Sequence, residues 1–373
     1  PAVDGEYILK FRDDGGRLSS GETSVVVTTP DPLPKLSVFV DREDTSFPGA
    51  KVDTFLDTAT LNGLVLGSAT KIDSVTSVDD VPSFDFLGDI ASSGTYAFED
   101  PLDLGSKQPI RLTRHFVTES FYPNDLIDSR TALVDLWTDI DAVTAFNTNA
   151  RLLVATTDSD PSATSSATYS QSGTTITITK SNHGFAIGSL IDITFTTGST
   201  TSDNGEYQIV SKPSDDTFTV TSTVSDTASG NCTLGSEFTV FSTMANGTFI
   251  GRGFKFKVEL TSSDPAQSII VKQVGYSASL ERRTETPVNV IASGTSQKSV
   301  TFINSFFTGA SGTSVGAGTA LPTIGITIEN MQSGDFFELS SISATGFNID
   351  IKNGSSHVNR NFKYTAVGFG RGS

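Results

Sequence analysis

Three histidines, one cysteine and 42 acidic residues are the side chains of this 373-residue chain best suited to metal, redox or acid–base chemistry. His115, His183 and His357 have neither a second histidine nor a carboxylate beside them at the spacing of a metal site. Each is expected as a surface or turn residue, and His183, within Ser181-Asn182-His183-Gly184-Phe185, as a turn histidine that bonds locally. Cys232 alone can build neither a disulfide framework nor a thiolate cluster, so it is expected as a small buried hydrophobe. Nucleophilic catalysis finds no support in these residues.

Among the acids, Asp158 and Asp160 in Thr157-Asp158-Ser159-Asp160-Pro161, and the pair Asp79-Asp80, could hold a structural calcium ion through their oxygens. Neither matches the twelve-residue calcium loop, and Asp and Ser before Pro are ordinary turn chemistry. No cofactor is expected beyond that cation. A glycosidase needs two carboxylates about 5–9.5 Å apart, and the sequence singles out no pair. The Gly-rich stretches Gly309–Gly318 and Gly368–Gly372 lack the Gly-Lys-Ser/Thr ending of a phosphate loop and are expected as plain loops. Phe306, Phe307 and Phe336 are the candidate receptor-binding residues, because an aromatic ring in a loop of a β-sandwich can grip a sugar. Phe at alternating positions suits a core equally well.

The elements that would position these residues are strands. Charged residues make up only 18% and Phe reaches 26 against one Trp, a composition of many short strands and turns filled by Phe. The net charge of −17 is uneven: residues 1–162 carry 27 acids against 12 bases, whereas residues 284–373 carry 5 of each. A phosphate backbone would repel such a chain, and no basic stripe interleaves with aromatics, so nucleic acid is not an expected partner. The neutral C-terminal third can approach an anionic cell surface more readily than the rest. No stretch reaches the roughly 18 apolar residues of a membrane span, and no signal-peptide pattern opens the chain.

Alternation of apolar and polar residues divides the chain. Residues 1–30 read as strand, turn, strand, and three prolines between Pro30 and Pro34 mark a stiff linker. Two strands do not make a domain, so the chain is expected to begin inside a larger protein. Residues 31–93 hold the linker and short strands. Residues 94–162 and 235–283 are expected to form one β-sandwich, with Phe254–Leu260 (FKFKVEL) giving one buried and one wet face. Asn124–Trp137 is the best helical candidate. Residues 163–234, a Ser/Thr/Gly-rich matrix holding four or more strands, read as a small β domain inserted into that sandwich. Residues 284–373 form a C-terminal β-sandwich with turns at intervals of roughly 8–12 residues. The expected fold is all-β, consecutive sandwich domains with a small inserted β domain.

Several of these segments resemble known families. Gly5–Val27 resembles the last hairpin of a fibronectin type III domain. Gly94-Thr95-Tyr96-Ala97-Phe98 with Asp103-Leu104-Gly105, Leu152–Pro161 and Gly251–Phe256 through Asp264-Pro265 resemble the central part of bacteriophage J-type host-specificity proteins and related tail-tip proteins. Thr345–Ile349 through Phe362–Gly370 resembles the end of phage tail-fibre proteins. Residues 169–233, with His183-Gly184 and Gly205-Glu206-Tyr207, resemble a β module that recurs as an insertion in phage structural proteins.

The resemblance implies jelly-roll, discoidin-like sandwiches in a homotrimer at the distal end of a virion tail. Its partners would be other tail or baseplate proteins and a host surface glycan or outer-membrane protein; it carries over no catalytic residue, so no enzyme is expected. Two alternatives stand beside it, an architectural connector without receptor contact and a depolymerase. A depolymerase is usually a long β-helix, and no period repeats strictly along this chain.

Overall fold

The computed structural model describes residues 5–9, 23–27, 36–58, 61–67, 90–121, 146–263, 267–308 and 321–370. Every regular element among them is a strand. The helical candidate Asn124–Trp137, the acids Asp79-Asp80 and the loop Gly309–Gly318 lie outside the described residues.

Strands β1 (Gly5–Leu9) and β2 (Thr23–Val27) pair antiparallel, with Tyr7 opposite Val25. The chain continues through β3 (Leu36–Arg42), β4 (Ala50–Val52), β5 (Thr54–Asp57), β6 (Gly63–Leu66), β7 (Ser93–Ala97), β8 (Leu102–Phe121) and β9 (Thr148–Thr157). Next come β10 (Ser165–Thr179), β11 (Leu190–Phe195), β12 (Gly205–Ser214) and β13 (Thr217–Phe238). The short β14 (Ser242–Thr243) leads to β15 (Gly247–Ser262) and β16 (Ser268–Glu285). The remainder is β17 (Ile291–Ala292), β18 (Lys298–Thr301), β19 (Thr323–Glu329), β20 (Asp335–Ser340), β21 (Gly346–Asn353), β22 (Ser356–His357) and β23 (Asn361–Phe369).

The largest sheet has 13 strands, seven along the path β14-β9-β15-β8-β16-β23-β17 and the others branching from it. Branching is possible because its strands are long and change partners. Along β15 the first half pairs with β8, while Lys257–Thr261 lie between β9 and β7. A bulge marks the change: Gly251 faces Gln108 but Gly253 faces Asp103, so residues 104–107 bow outward opposite Arg252. Gly105 carries this bow at φ 74°, a left-handed conformation that side chains other than glycine resist.

On the core side of this sheet, Phe254, Phe256, Val258 and Leu260 alternate inward from β15 and cluster with Tyr96, Leu152, Val271 and Tyr276. Phe256 stacks on Tyr276 with ring centroids 4.3 Å apart. Each such fully buried side chain stabilises by about 1.5–3 kcal/mol.

A second cluster belongs to β10–β13 alone and contains Tyr169, Ile176, Ile178, Ile191, Ile193, Phe218, Val220 and Leu234. A third, around Phe302, Phe306, Phe347, Ile349, Phe362 and Tyr364, fills the space between the β18-β21-β20 sheet and β19, β23. Strands β16 and β23 pair through Arg282–Glu285 and join this last unit to the large sheet.

Candidate functional site

Among the described residues strand β20 pairs only with β21, which makes it an edge strand. Asp335, Phe337 and Leu339 share one side of it, and Leu339 packs on the core; Phe336, Glu338 and Ser340 share the other. Phe336 stands opposite Lys352 and Glu338 opposite Asp350, so the outer face of β20 and β21 is a ladder of polar pairs with one phenylalanine at its end. Phe336 is 41% exposed.

The ladder is ordered by charge. Lys352 Nζ donates to Glu338 at 2.9 Å, which raises the lysine pKa. Gln297 Nε2 donates to Asp350 at 2.9 Å and His357 Nε2 lies 2.7 Å from it, and these bonds lower the Asp350 pKa. Behind the face, Arg360 Nε donates to Asp335 at 2.7 Å and, with the Gln332 amide and Asn353, holds that carboxyl down to about 2. The result is a fixed row of donors and acceptors beside an exposed ring, which can hydrogen-bond hydroxyl groups and cover an apolar sugar face.

The other two aromatic candidates sit elsewhere. Phe306 and Phe307 are each 2% exposed and lie inside hydrophobic clusters, so neither ring can meet a ligand at the surface. Phe306 contacts Phe302 edge-on at 5.0 Å, and the Arg283 guanidinium lies 3.7 Å from its ring centroid. Alternation along the chain could not separate a core Phe from a surface one, because both occupy the same period.

The acids Asp158 and Asp160 do not converge on one point. Lys107 Nζ meets Asp158 at 2.7 Å, and Arg252 Nη2 meets Asp160 at 2.9 Å while its Nε and Nη2 fork onto Asp103 at 2.9 and 3.1 Å. Each carboxylate thus already carries a cationic partner from the bulged pairing of β8 and β15. Among the described residues no three His, Cys, Asp or Glu side chains gather as a metal site.

Lys255 and Lys257, expected to face water, instead meet β10–β13. Lys255 bonds Asp192, with its ammonium 4.6 Å from the Phe238 ring centroid; Lys257 reaches Glu206 at 3.3 Å and lies 3.9 Å from the Phe241 ring centroid. The strict alternation of FKFKVEL showed that these lysines share a face, but not that another unit would cover it.

No family model, curated protein or solved structure matches this chain.

The remaining reactive groups are held in structural roles. His183 is buried against Phe185 and Phe218, and its Nδ1 accepts the Phe185 amide hydrogen at 3.0 Å. It bonds within its own turn as expected, but it is not a surface residue. His115 pairs with Ser277 across β8 and β16. Burial pushes the Cys232 thiol up to about 11, which keeps it neutral. Besides Asp103 and Asp160, which share Arg252, Asp41 and Glu43 come close together, inside the wall of the large sheet beside Tyr276 and Tyr96. The Tyr96 hydroxyl donates to Glu43, whose pKa is raised by burial.

Proposed function

We propose that this chain is the distal part of a bacteriophage tail tip or central tail fibre that attaches the virion to its host. In this reading it works as a homotrimer joined to other tail or baseplate proteins. Its units are jelly-roll, discoidin-like sandwiches, and the C-terminal one meets a surface glycan or outer-membrane protein. The observation that carries the reading is Phe336, exposed at the end of an ordered polar ladder in the one region of the chain with balanced charge. Three such faces held at fixed spacing would bind a repetitive polymer far more tightly than one.

The test is adsorption of the fluorescently labelled chain to a panel of bacterial strains and to their extracted surface polysaccharide, with the oligomeric state measured by sedimentation. Saturable adsorption by a trimer, reduced at least about tenfold in Phe336→Ser with the unfolding midpoint unchanged, is the expected result. Adsorption that is indifferent to Phe336 would move receptor contact off this face. A trimer that binds no strain yet captures a purified tail or baseplate protein would favour the connector reading.

A further inference from the structure

The β10–β13 unit carries a cavity that the attachment reading does not use. It has a volume of about 300 Å³ and lies in the loop joining β11 to β12, lined by Phe195, Thr197, Thr200, Ser202, Asp203 and Asn204 among others, with almost wholly polar walls. That is the lower end of the size range of small-molecule sites, which are mostly apolar. A polar cavity of this size calls for a small ligand rich in hydrogen-bonding groups.

The loop is built in advance. Thr196 and Thr197 amides donate to the Asn231 carbonyl at 2.9 and 3.2 Å, and the Asn231 amide donates back to Thr197 Oγ1 at 2.8 Å. Thr200 and Ser202 hydroxyls donate to the Gln171 side-chain oxygen Oε1 at 2.7 and 2.9 Å. Asp226 accepts from the Thr201 amide and hydroxyl at 2.7 and 3.0 Å, and Asn204 Oδ1 accepts the Phe195 amide at 2.8 Å.

At Gly198, with φ 97°, a β-carbon would fall 2.3 Å from the Tyr169 hydroxyl and 2.5 Å from the Ser229 carbonyl, so only glycine lets the loop lie this close to β10 and β13. A loop held at so many points loses little entropy when a ligand arrives.

One lining side chain takes no part in this bracing, although the backbone carbonyl of the same residue, Asp203, accepts the Tyr207 hydroxyl at 2.5 Å. The Asp203 side chain is exposed and has no hydrogen-bond or ion-pair partner among the described residues, although its neighbours on both sides are engaged. No lysine or arginine lines the cavity. A lone carboxylate without a cation repels anionic ligands and accepts strongly from hydroxyl groups. We infer that this cavity is a binding site for a neutral saccharide unit, with Asp203 accepting two of its hydroxyls and the loop's hydroxyl and carbonyl groups completing the contacts. The inference does not depend on phage attachment or on the C-terminal unit.

The experiment uses the full chain, isotopically labelled, and follows the amides of residues 195–204 by NMR during titration with glucose, galactose, mannose and N-acetylglucosamine, and with glucuronate as the anionic control. Saturable shifts confined to this loop with at least one neutral sugar, none with glucuronate, and affinity about tenfold weaker in Asp203→Ala are expected. Asp203→Asn keeps an acceptor and should recover part of the loss. The spectrum of each unliganded variant reports whether the loop is intact. Absence of shifts with every sugar up to its solubility limit, or equal affinity in Asp203→Ala, would overturn the inference. Because the readout is local, a protein that adsorbs to no cell can still pass, and one that adsorbs through Phe336 can still fail.

Discussion

Phe306 and Phe307 are consecutive in the chain and enter different hydrophobic clusters: Phe306 packs with Phe302 in the C-terminal unit, and Phe307 joins the core of the large sheet. The Phe307 amide donates to the Phe369 carbonyl at 2.9 Å, so the backbone is pinned where the two rings diverge. This dipeptide rivets the C-terminal unit to the sheet that carries it.

Truncating either ring therefore has a separable effect. Phe306→Ala should destabilise by about 3–5 kcal/mol and raise hydrogen exchange chiefly in β18, β21 and β23. Phe307→Ala should cost a similar amount and raise exchange in β8 and β16. Hydrogen exchange by mass spectrometry decides it; the same pattern from both variants would mean that the two clusters open as one.

Arg252 predicts a second result. Its fork onto Asp103 and its further bond to Asp160 tie the exit from β9 to the bulge of β8. Side chains 25% and 11% exposed place the Arg252–Asp103 pair between a surface bridge and a buried one. Arg252→Ala should cost about 1–3 kcal/mol, and Arg252→Lys should recover only part, since an ammonium cannot reproduce the fork. Adding Asp103→Ala to Arg252→Ala should recover part of the loss by removing a carboxylate that has lost its cation, although the Gly105 amide then loses its acceptor. Urea denaturation of the parent, Arg252→Ala, Asp103→Ala and the double variant gives the coupling, and strict additivity would rule out the clamp.

Lys255 and Lys257 predict a third. They dock the β10–β13 unit through Asp192 and Glu206, while that unit keeps its own core. Reversing both lysines to Glu should release the unit without unfolding it: solution scattering should show a larger radius of gyration, and exchange protection of Ile176, Ile193 and Val220 should persist. Added salt should move the parent chain the same way, since near 1 M the screening length falls to about 3 Å. An unchanged radius in the reversed variant would place the docking energy elsewhere.

Strands were legible where a run stayed in one environment. Phe254–Leu260 lies within a strand of the structure, because alternation is enforced by a core on one side. Strand length was not legible. β8 runs for 20 residues and β13 for 22, but irregularities in the pairing reset the alternation, as where Gly173 and Thr175 of β10 face Asp226 and Thr221 of β13. At the candidate site, Phe336 could be proposed from residue type, whereas its neighbours Lys352, Asp350 and His357 could not. They join it through strand pairing, and nothing in their local spacing marks them. The cavity beside Asp203 was hidden for the same reason, since its bracing residues Gln171, Asp226 and Asn231 are distant in sequence.

Two buried glutamates predict opposite responses to pH. Burial alone would push Glu285 up, but the Ile303 amide at 2.9 Å, Arg283 at 2.9 Å, the Tyr364 hydroxyl at 3.0 Å and the Asn304 amide together bring its pKa below 4.5. A pKa lowered by folding adds stability above the unfolded value, and that stability is lost as pH falls through the folded one. Glu43 is the reverse. Burial raises its pKa, so its charged form costs stability above the folded value and the cost disappears as pH falls below 4.5. At pH 7, Glu285→Gln should therefore be less stable than the parent, by about 1–3 kcal/mol, and Glu43→Gln should be more stable. Both differences should shrink as pH falls through the carboxylate range. Denaturant unfolding of the three proteins across that range measures it directly: parallel curves would show that neither carboxylate titrates differently on folding, and a destabilised Glu43→Gln at pH 7 would show that the Tyr96 hydrogen bond outweighs desolvation.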